Sequence, residues 1–171
     1  MTFGARYGDI YQMGYITRDM DAAKKHCREM LGIDNFFGGE SSIEVLSYGE
    51  VRPMRVIAAM ANIGSRQFEL VQPISGAIEL YTETLDLSKH IINFHHVSVA
   101  VRGDIENWHN LQDDIAASGD PLAIRYPVEL KPDDKSAFCY VDTRGRLGHF
   151  TEYLWMGDPV QAKGFLPDGV G

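Results

Sequence analysis

The hydrophobic pattern of the chain switches between the period of a strand and the period of a helix. Residues 9–17 alternate apolar and polar side chains, as a half-buried strand does. Residues 19–33 then place apolar side chains three or four positions apart, which predicts an amphipathic helix that ends near Gly32. Three strand-like segments follow, at 41–49, 54–62 and 65–73. The first part of the chain is therefore predicted to fold as βαβββ.

The same order of elements returns in the second half. Residues 93–101 have the pattern of a strand and 104–119 that of a helix, and three more strand-like segments follow up to residue 155. When the two halves are aligned, Gln12 lies 84 residues before His96, and Glu69 lies 83 residues before Glu152. Because two separate segments agree on the repeat length to within one residue, we predict an α+β fold built from two βαβββ modules.

The pattern also predicts how the modules are joined. We expect residues 1–171 to form one unit made of two repeats, at about 9–73 and 93–156. Residues 77–90 have helical spacing and are expected to form a helix that links the repeats. Residues 157–171 are rich in Gly and Pro and are expected to form a loose C-terminal tail.

Strand parity separates the two adjacent histidines of the segment 93–101. His95 alternates in phase with three valines that are expected to pack on helices, so His96 is expected to face the opposite way. The same argument turns three other polar side chains away from the bulky apolar residues of their strands. Four strands thereby offer one oxygen or nitrogen donor each to a single concave surface: Gln12, Glu69, His96 and Glu152.

Taken singly, each of these four residues is more often solvated or satisfied by a neighbour than bound to a ligand. Together they place two carboxylates close to each other on a partly buried face, where they would repel and lose solvation. A divalent ion removes both penalties. The donor set has one imidazole and no thiolate, which suits zinc, nickel, cobalt, manganese or a similar divalent metal ion.

Composition and charge exclude several classes of protein. The chain has 16 basic and 24 acidic residues and a net charge of −8, which disfavours a nucleic-acid partner. The pattern contains no apolar run long enough for a membrane helix and no signal-peptide core, so we expect a cytoplasmic protein without a membrane partner. Cys27 and Cys139 lack metal-ligand spacing and are expected to be reduced core thiols.

These segments resemble the vicinal oxygen chelate superfamily, which includes glyoxalase I, methylmalonyl-CoA epimerase, extradiol dioxygenases and bleomycin-resistance proteins. The similarity spans roughly residues 9–156 and rests on "IYQMGYITRDMDAA", "FELVQP", "HHVSVAV" and "GHFTEYL". It implies a cup-shaped, curved mixed sheet with helices on the outside. It also implies that Gln12, Glu69, His96 and Glu152 are metal ligands, as in the human type of glyoxalase I. The segment "VDTRGRLGHFTEYLW" is closer to epimerase-like members.

The donor set and the resemblance together favour abstraction of a proton next to a carbonyl, with Glu69 and Glu152 as catalytic bases. The resulting hypothesis is a glyoxalase-like or epimerase-like enzyme, a lyase or isomerase, that works through a metal-stabilised enediolate or enolate. The expected partner is a small carbonyl, thioester or hemithioacetal substrate, and a homodimer is expected. A non-catalytic small-molecule binding or resistance protein is the alternative. An extradiol-type dioxygenase is less favoured, because the resemblance implies that Gln12 stands where oxygen-activating members of the superfamily carry a second histidine.

Overall fold

Eight strands and six helices make up the part of the chain that the computed structural model describes, residues 4–83, 86 and 88–170. The strands are β1 (Gly8–Ile16), β2 (Phe37–Ser47), β3 (Glu50–Ile63), β4 (Arg66–Gly76), β5 (Asn93–Val101), β6 (Leu122–Tyr126), β7 (Ser136–Val141) and β8 (Phe150–Met156). The helices are α1 (Gly4–Tyr7), α2 (Met20–Leu31), α3 (Glu79–Thr82), α4 (Ile105–Ser118), α5 (Arg144–Leu147) and α6 (Pro159–Phe165).

The strands close into a barrel with the order β1-β4-β3-β2-β6-β7-β8-β5. In each half, the first strand pairs in parallel with the fourth, and the other neighbours pair antiparallel. The halves meet where β1 pairs antiparallel with β5 and where β2 pairs antiparallel with β6. This mixed, curved sheet with helices confirms the predicted α+β fold of two βαβββ modules.

Helices α2 and α4 each cover the outside of one half. Their first turns are capped by Asp19 and Asp104, whose side chains accept hydrogen bonds from backbone N–H groups three residues on. Both helices end at a glycine in the left-handed region, Gly32 for α2 and Gly119 for α4. Helix α2 packs its buried side chains, including Cys27, against β3 and β4, and α4 packs against β5, β7 and β8.

The predicted linking helix is much shorter than its sequence pattern. Only Glu79–Thr82 is helical within the predicted range 77–90, and residues 84, 85 and 87 of that range lie outside the described residues. The helix starts without a side-chain cap, and Asp86 instead accepts hydrogen bonds from the backbone and hydroxyl of Ser88. This local turn competes with helix continuation.

The prediction of a loose C-terminal tail is wrong for residues 159–166. Asp158 caps α6, and Pro159 occupies its first turn, where the missing N–H costs nothing. Leu166 is buried together with Tyr11 and Ala100, so the segment packs on the barrel. The Gly and Pro content indicated looseness, but a capped helix with an apolar side outweighs it.

Both cysteines are buried and free, as the sequence predicted. Among the described helices, none is both long and apolar enough to cross a lipid bilayer.

Candidate active site and metal centre

The four polar side chains singled out in the sequence come from four strands that are consecutive around the barrel, β4, β1, β5 and β8. Gly14 of β1 is the register partner of both Glu69 and His96. Ser98 of β5 is the partner of both Gln12 and Glu152. The two halves therefore contribute to one site at the β1–β5 junction.

Glu69, His96 and Glu152 form a tight cluster. His96 Nε2 lies 3.1 Å from Glu69 Oε2 and 3.6 Å from Glu152 Oε2. One ligand atom from each of the three residues lies within 4.8 Å of the other two. The ring of His96 is fully buried, and each carboxylate side chain is only 12% exposed. The structure thus brings together three of the four residues as potential ligands.

Gln12 is linked to this cluster through the hydroxyl group of Ser98. Its Oε1 accepts a hydrogen bond from Ser98 Oγ at 2.7 Å, and the same hydroxyl also contacts Glu152 Oε2. Its Nε2 donates to Gln67 Oε1 at 2.5 Å. The side chain is buried and lines the same cavity as Glu69 and Glu152. Gln12 is therefore placed beside the cluster as a fourth potential ligand and a third oxygen donor.

His95 does not lie on the valine face that strand parity predicted. Gly14 and Tyr15 of β1 pair with His96 and Phe94, so His95 is an extra, bulged residue in β5. Its ring is buried and stacks on Phe150 at 4.8 Å. The bulge turns both histidines inward, and their Nδ1 atoms are 3.0 Å apart.

A second bulge changes the role of Tyr11. Ile10 and Gln12 pair with Val99 and Ser98, which leaves Tyr11 unpaired in the ladder. Parity predicted that Tyr11 and Gln12 lie on opposite faces, but both line the cavity. Sequence reasoning missed Tyr11 as a site residue, because a bulge leaves no mark on an alternating pattern.

Burial and charge shift the protonation of the cluster. Burial, together with the nearby Glu69, raises the pKa of Glu152 to about 7, against the opposing effects of His96 and Ser98. Burial acts to lower the pKa of His96, but the carboxylates of Glu69 and Glu152 outweigh it, and the pKa is raised. Burial lowers the pKa of His95 to about 3, so that ring is neutral.

The polar atoms of the cluster fit a cation. Within the described part of the chain, Glu69 Oε2 is buried without a hydrogen-bond partner, and the nearest charged group is His96 Nε2 at 3.1 Å. Ser98 has one hydroxyl proton but two acceptors, Gln12 Oε1 and Glu152 Oε2. Oxygen atoms that lack donors, next to an imidazole nitrogen, are a donor set suited to a divalent metal ion.

The cluster opens into a cavity of about 250 Å³. The charged side chains among its described lining residues are Glu69 and Glu152 alone. Most of the remaining lining is apolar or aromatic, and Tyr140 brings its hydroxyl to 3.5 Å from His96 Nε2. Phe165 of α6 also lines the cavity, so the C-terminal helix is part of its wall.

Comparisons with known proteins agree with this architecture. The family model of the glyoxalase/bleomycin resistance protein/dioxygenase superfamily matches residues 11–140. No curated protein sequence matches the chain significantly. Solved structures with a similar fold include a variant of methylmalonyl-CoA epimerase from Streptomyces coelicolor in complex with 2-nitronate-propionyl-CoA. The two share 16% identity over 89% of this chain and 99% of that chain, with a TM-score of 0.55.

Methylmalonyl-CoA epimerase from Mycobacterium tuberculosis is also similar, with 16% identity over 91% of each chain and a TM-score of 0.53. A hypothetical protein from Bacillus halodurans C-125 shares 15% identity over 88% of this chain and 96% of that chain, with a TM-score of 0.53. At these identities the likeness concerns the fold.

Proposed function

Because the chain belongs to the glyoxalase/bleomycin resistance protein/dioxygenase superfamily, we propose that it is a metal-dependent enzyme that moves a proton at a carbon next to a carbonyl group. The observation that carries the proposal is the buried cluster of Glu69, His96 and Glu152, whose two carboxylates line one cavity. An isomerase, epimerase or lyase would each use this proton transfer.

His96, Glu69 and Glu152 would hold the divalent ion, with Gln12 as a further oxygen donor. When bound there, the ion would act as a Lewis acid on the carbonyl oxygen of the substrate. The two carboxylates lie on different strands, β4 and β8, on either side of β1 and β5. They can therefore approach a substrate carbon from two directions, one to remove a proton and one to return it.

Glu152 is the better placed of the two to transfer a proton. In the metal-free site burial raises its pKa to about 7, and a bound divalent ion would lower that pKa and keep the carboxylate ready to accept a proton. Ser98, which contacts Glu152 Oε2, holds the carboxylate against β5. Glu69 Oε2 accepts no hydrogen bond from the residues that the structure describes, which favours a role as a ligand.

The cavity also restricts the substrate. A volume of about 250 Å³ suits an acyl group or a small aldehyde adduct, but not a whole coenzyme A, which would extend outside. The charged groups that line the cavity are two carboxylates. They would repel an anionic group of the substrate that does not bind the metal ion. We therefore favour a thioester or hemithioacetal whose buried end is small and apolar.

Substitution of the two carboxylates tests the proposal. Glu152→Gln keeps the shape of the side chain but removes the base, and it should lower turnover by at least about a hundredfold. Glu69→Gln should cost a similar factor if it also transfers protons, and less if it acts only as a ligand. Turnover and incorporation of deuterium from solvent are measured on a panel of acyl-CoA thioesters and 2-oxoaldehyde hemithioacetals, with the metal content of each variant in parallel.

The exposed Glu50 provides a matched control, because Glu50→Gln makes the same chemical change outside the site. Its activity should equal that of the wild type. Full activity of both site variants with metal bound would rule out carboxylate bases. Stoichiometric metal without turnover of any substrate in the panel would favour the alternative, a binding protein of the same fold.

A further inference from the structure

Two of the four potential ligands can adopt more than one hydrogen-bonding state, the imidazole of His96 and the amide of Gln12. Each is contacted from behind by a buried side chain, His95 for the imidazole and Gln67 for the amide. We propose that His95 and Gln67 are positioning residues that fix the tautomer of His96 and the orientation of the Gln12 amide. The inference rests on the metal site of the proposed function.

The chain of hydrogen bonds that runs through His95 to His96, here called the histidine relay, begins at a main-chain carbonyl. His95 Nε2 lies 2.9 Å from the carbonyl oxygen of Leu80 in α3. A carbonyl oxygen only accepts, so Nε2 of His95 carries the hydrogen. The ring is enclosed by Tyr81, Tyr140 and Phe150, which disfavours an imidazolium. In the neutral ring, Nδ1 is an acceptor.

His95 Nδ1 is 3.0 Å from His96 Nδ1, so His96 donates with its Nδ1–H. The hydrogen of a neutral His96 is then on Nδ1, and the lone pair of Nε2 faces Glu69 and Glu152. This is the tautomer that a metal ligand needs. The bulge that places His95 inside the barrel thus has a chemical consequence for its neighbour.

The chain of hydrogen bonds that runs through Gln67 to Gln12, here called the amide relay, begins at the C-terminal helix. The carbonyl of Phe165, the last residue of α6, accepts a hydrogen bond from Gln67 Nε2 at 2.8 Å. Carbonyls in the last turn of a helix have no partner within the helix, so this bond meets a need of α6 itself. Asn62 Oδ1 accepts from the same nitrogen at 2.9 Å. Gln67 therefore turns its Nε2 outward and its Oε1 inward.

Gln67 Oε1 accepts from Gln12 Nε2, which leaves Gln12 Oε1 as the atom beside Ser98 and Glu152. If the Gln12 amide were flipped, two oxygen atoms would meet at Gln67, and an N–H donor would face the cation. Side chains that orient metal ligands in this way are typically worth about 10- to 100-fold in metal affinity.

The histidine relay is tested with His95→Phe, which keeps an aromatic ring stacked on Phe150 but removes both nitrogens. The dissociation constant for Zn²⁺ and for Co²⁺ should rise about 10- to 100-fold. His95→Asn, which restores a short acceptor, should recover part of the loss. His149→Phe is the matched control, because it removes a ring nitrogen that bonds the Phe150 carbonyl outside the cluster. Equal losses in His149→Phe, or none in His95→Phe, would overturn the role of His95.

The amide relay is tested with Gln67→Met, which has a similar length and no amide. Metal affinity should again fall about 10- to 100-fold, with kcat on the best substrate reduced in the loaded enzyme. Gln72→Met serves as the control, since Gln72 lies on the same strand and accepts from Met20 N away from the site. A fall of the same size in Gln72→Met would show a general loss of stability and would refute the relay.

Two measurements on the metal-free wild type test both relays even if a variant does not fold or no metal binds. Nitrogen-15 spectra of the histidine rings should show that His95 is protonated on Nε2 and unprotonated on Nδ1. The side-chain amide protons of Gln12 should exchange with solvent slowly. A hydrogen on His95 Nδ1, or fast exchange at Gln12, would overturn the respective relay. Absence of metal binding by the wild type would instead count against the proposed function.

Discussion

At the scale of residues, Gly14 leaves the space that the His96 ring fills. A Cβ atom at Gly14 would lie 1.8 Å from His96 Cε1 and within 2.3 Å of both ring nitrogens. Such an approach is impossible without a shift of the ring, which is itself held by His95 and the β5 backbone. The position of the imidazole thus depends on the absence of a methyl group on the neighbouring strand.

Gly14→Ala should therefore damage both stability and metal binding. We expect the free energy of unfolding to fall by about 1–3 kcal/mol, as for overpacked cores, because the ring or the strand must move. Urea denaturation and a Zn²⁺ titration measure the two effects. Gly39→Ala is the control, since a Cβ there meets no atom within 4 Å. Wild-type metal affinity in Gly14→Ala would contradict the geometry described for His96.

The two thiols should be chemically silent in the folded protein. Burial raises the pKa of Cys27 and raises that of Cys139 to about 12, so at neutral or mildly alkaline pH the reactive thiolate is scarcer than in an exposed cysteine. A thiol reagent at pH 8 should react at least on the order of a hundredfold more slowly with folded than with urea-unfolded protein. Fast modification of one thiol before unfolding would show that its helix or strand opens locally.

At the scale of elements, strand parity was sufficient where the strands are regular. Glu69 on β4 and Glu152 on β8 face the cavity, as their alternation predicted. Parity was wrong for Tyr11 and His95, because a bulge is a property of two strands in register and not of either sequence alone. Gln67 escaped notice for a similar reason, since its role appears only when it pairs with Gln12 across β1 and β4.

Helix caps, in contrast, follow from local sequence, and one of them gives a prediction. The Asp19 side chain accepts from the backbone N–H of Ala22 at 3.0 Å. Asp19→Ala should lower the free energy of unfolding by about 1 kcal/mol, since the first turn of α2 loses its acceptor. Urea denaturation provides the measurement. Asp34→Ala, a change at an exposed aspartate beyond the end of α2, should have little effect. Equal costs would mean that net charge, and not capping, is responsible.

At the scale of the whole molecule, the site joins the two halves. Gln12 and Glu69 come from the first half, and His96 and Glu152 from the second. A cation bound to all four would link the halves only in the folded state, so binding should stabilise the barrel. The expected homodimer stays a prediction, for which sedimentation velocity is the direct measurement.

Metal should therefore raise the melting temperature of the protein. A free ion concentration one hundred times the dissociation constant adds about 2.7 kcal/mol to the free energy of unfolding. For a chain of this size, that corresponds to an increase in Tm of roughly 5 to 11 °C. Thermal unfolding with Zn²⁺ or Mn²⁺ and with a chelator measures it. His96→Ala removes the nitrogen donor from the four proposed ligands and should show no increase, whereas an equal increase in this variant would place the stabilising ion elsewhere.

The two junctions of the barrel differ greatly in length. Strands β1 and β5 share eight residue pairs, whereas β2 and β6 share two, Leu46 with Arg125 and Ser47 with Ile124. The barrel is therefore closed by one long junction, β1–β5, and one short junction, β2–β6. Because the short junction has fewer bonds to break, thermal opening should begin there. The four proposed ligands lie on β4, β1, β5 and β8, at or beside the longer junction, so opening at the shorter junction would leave their mutual arrangement intact.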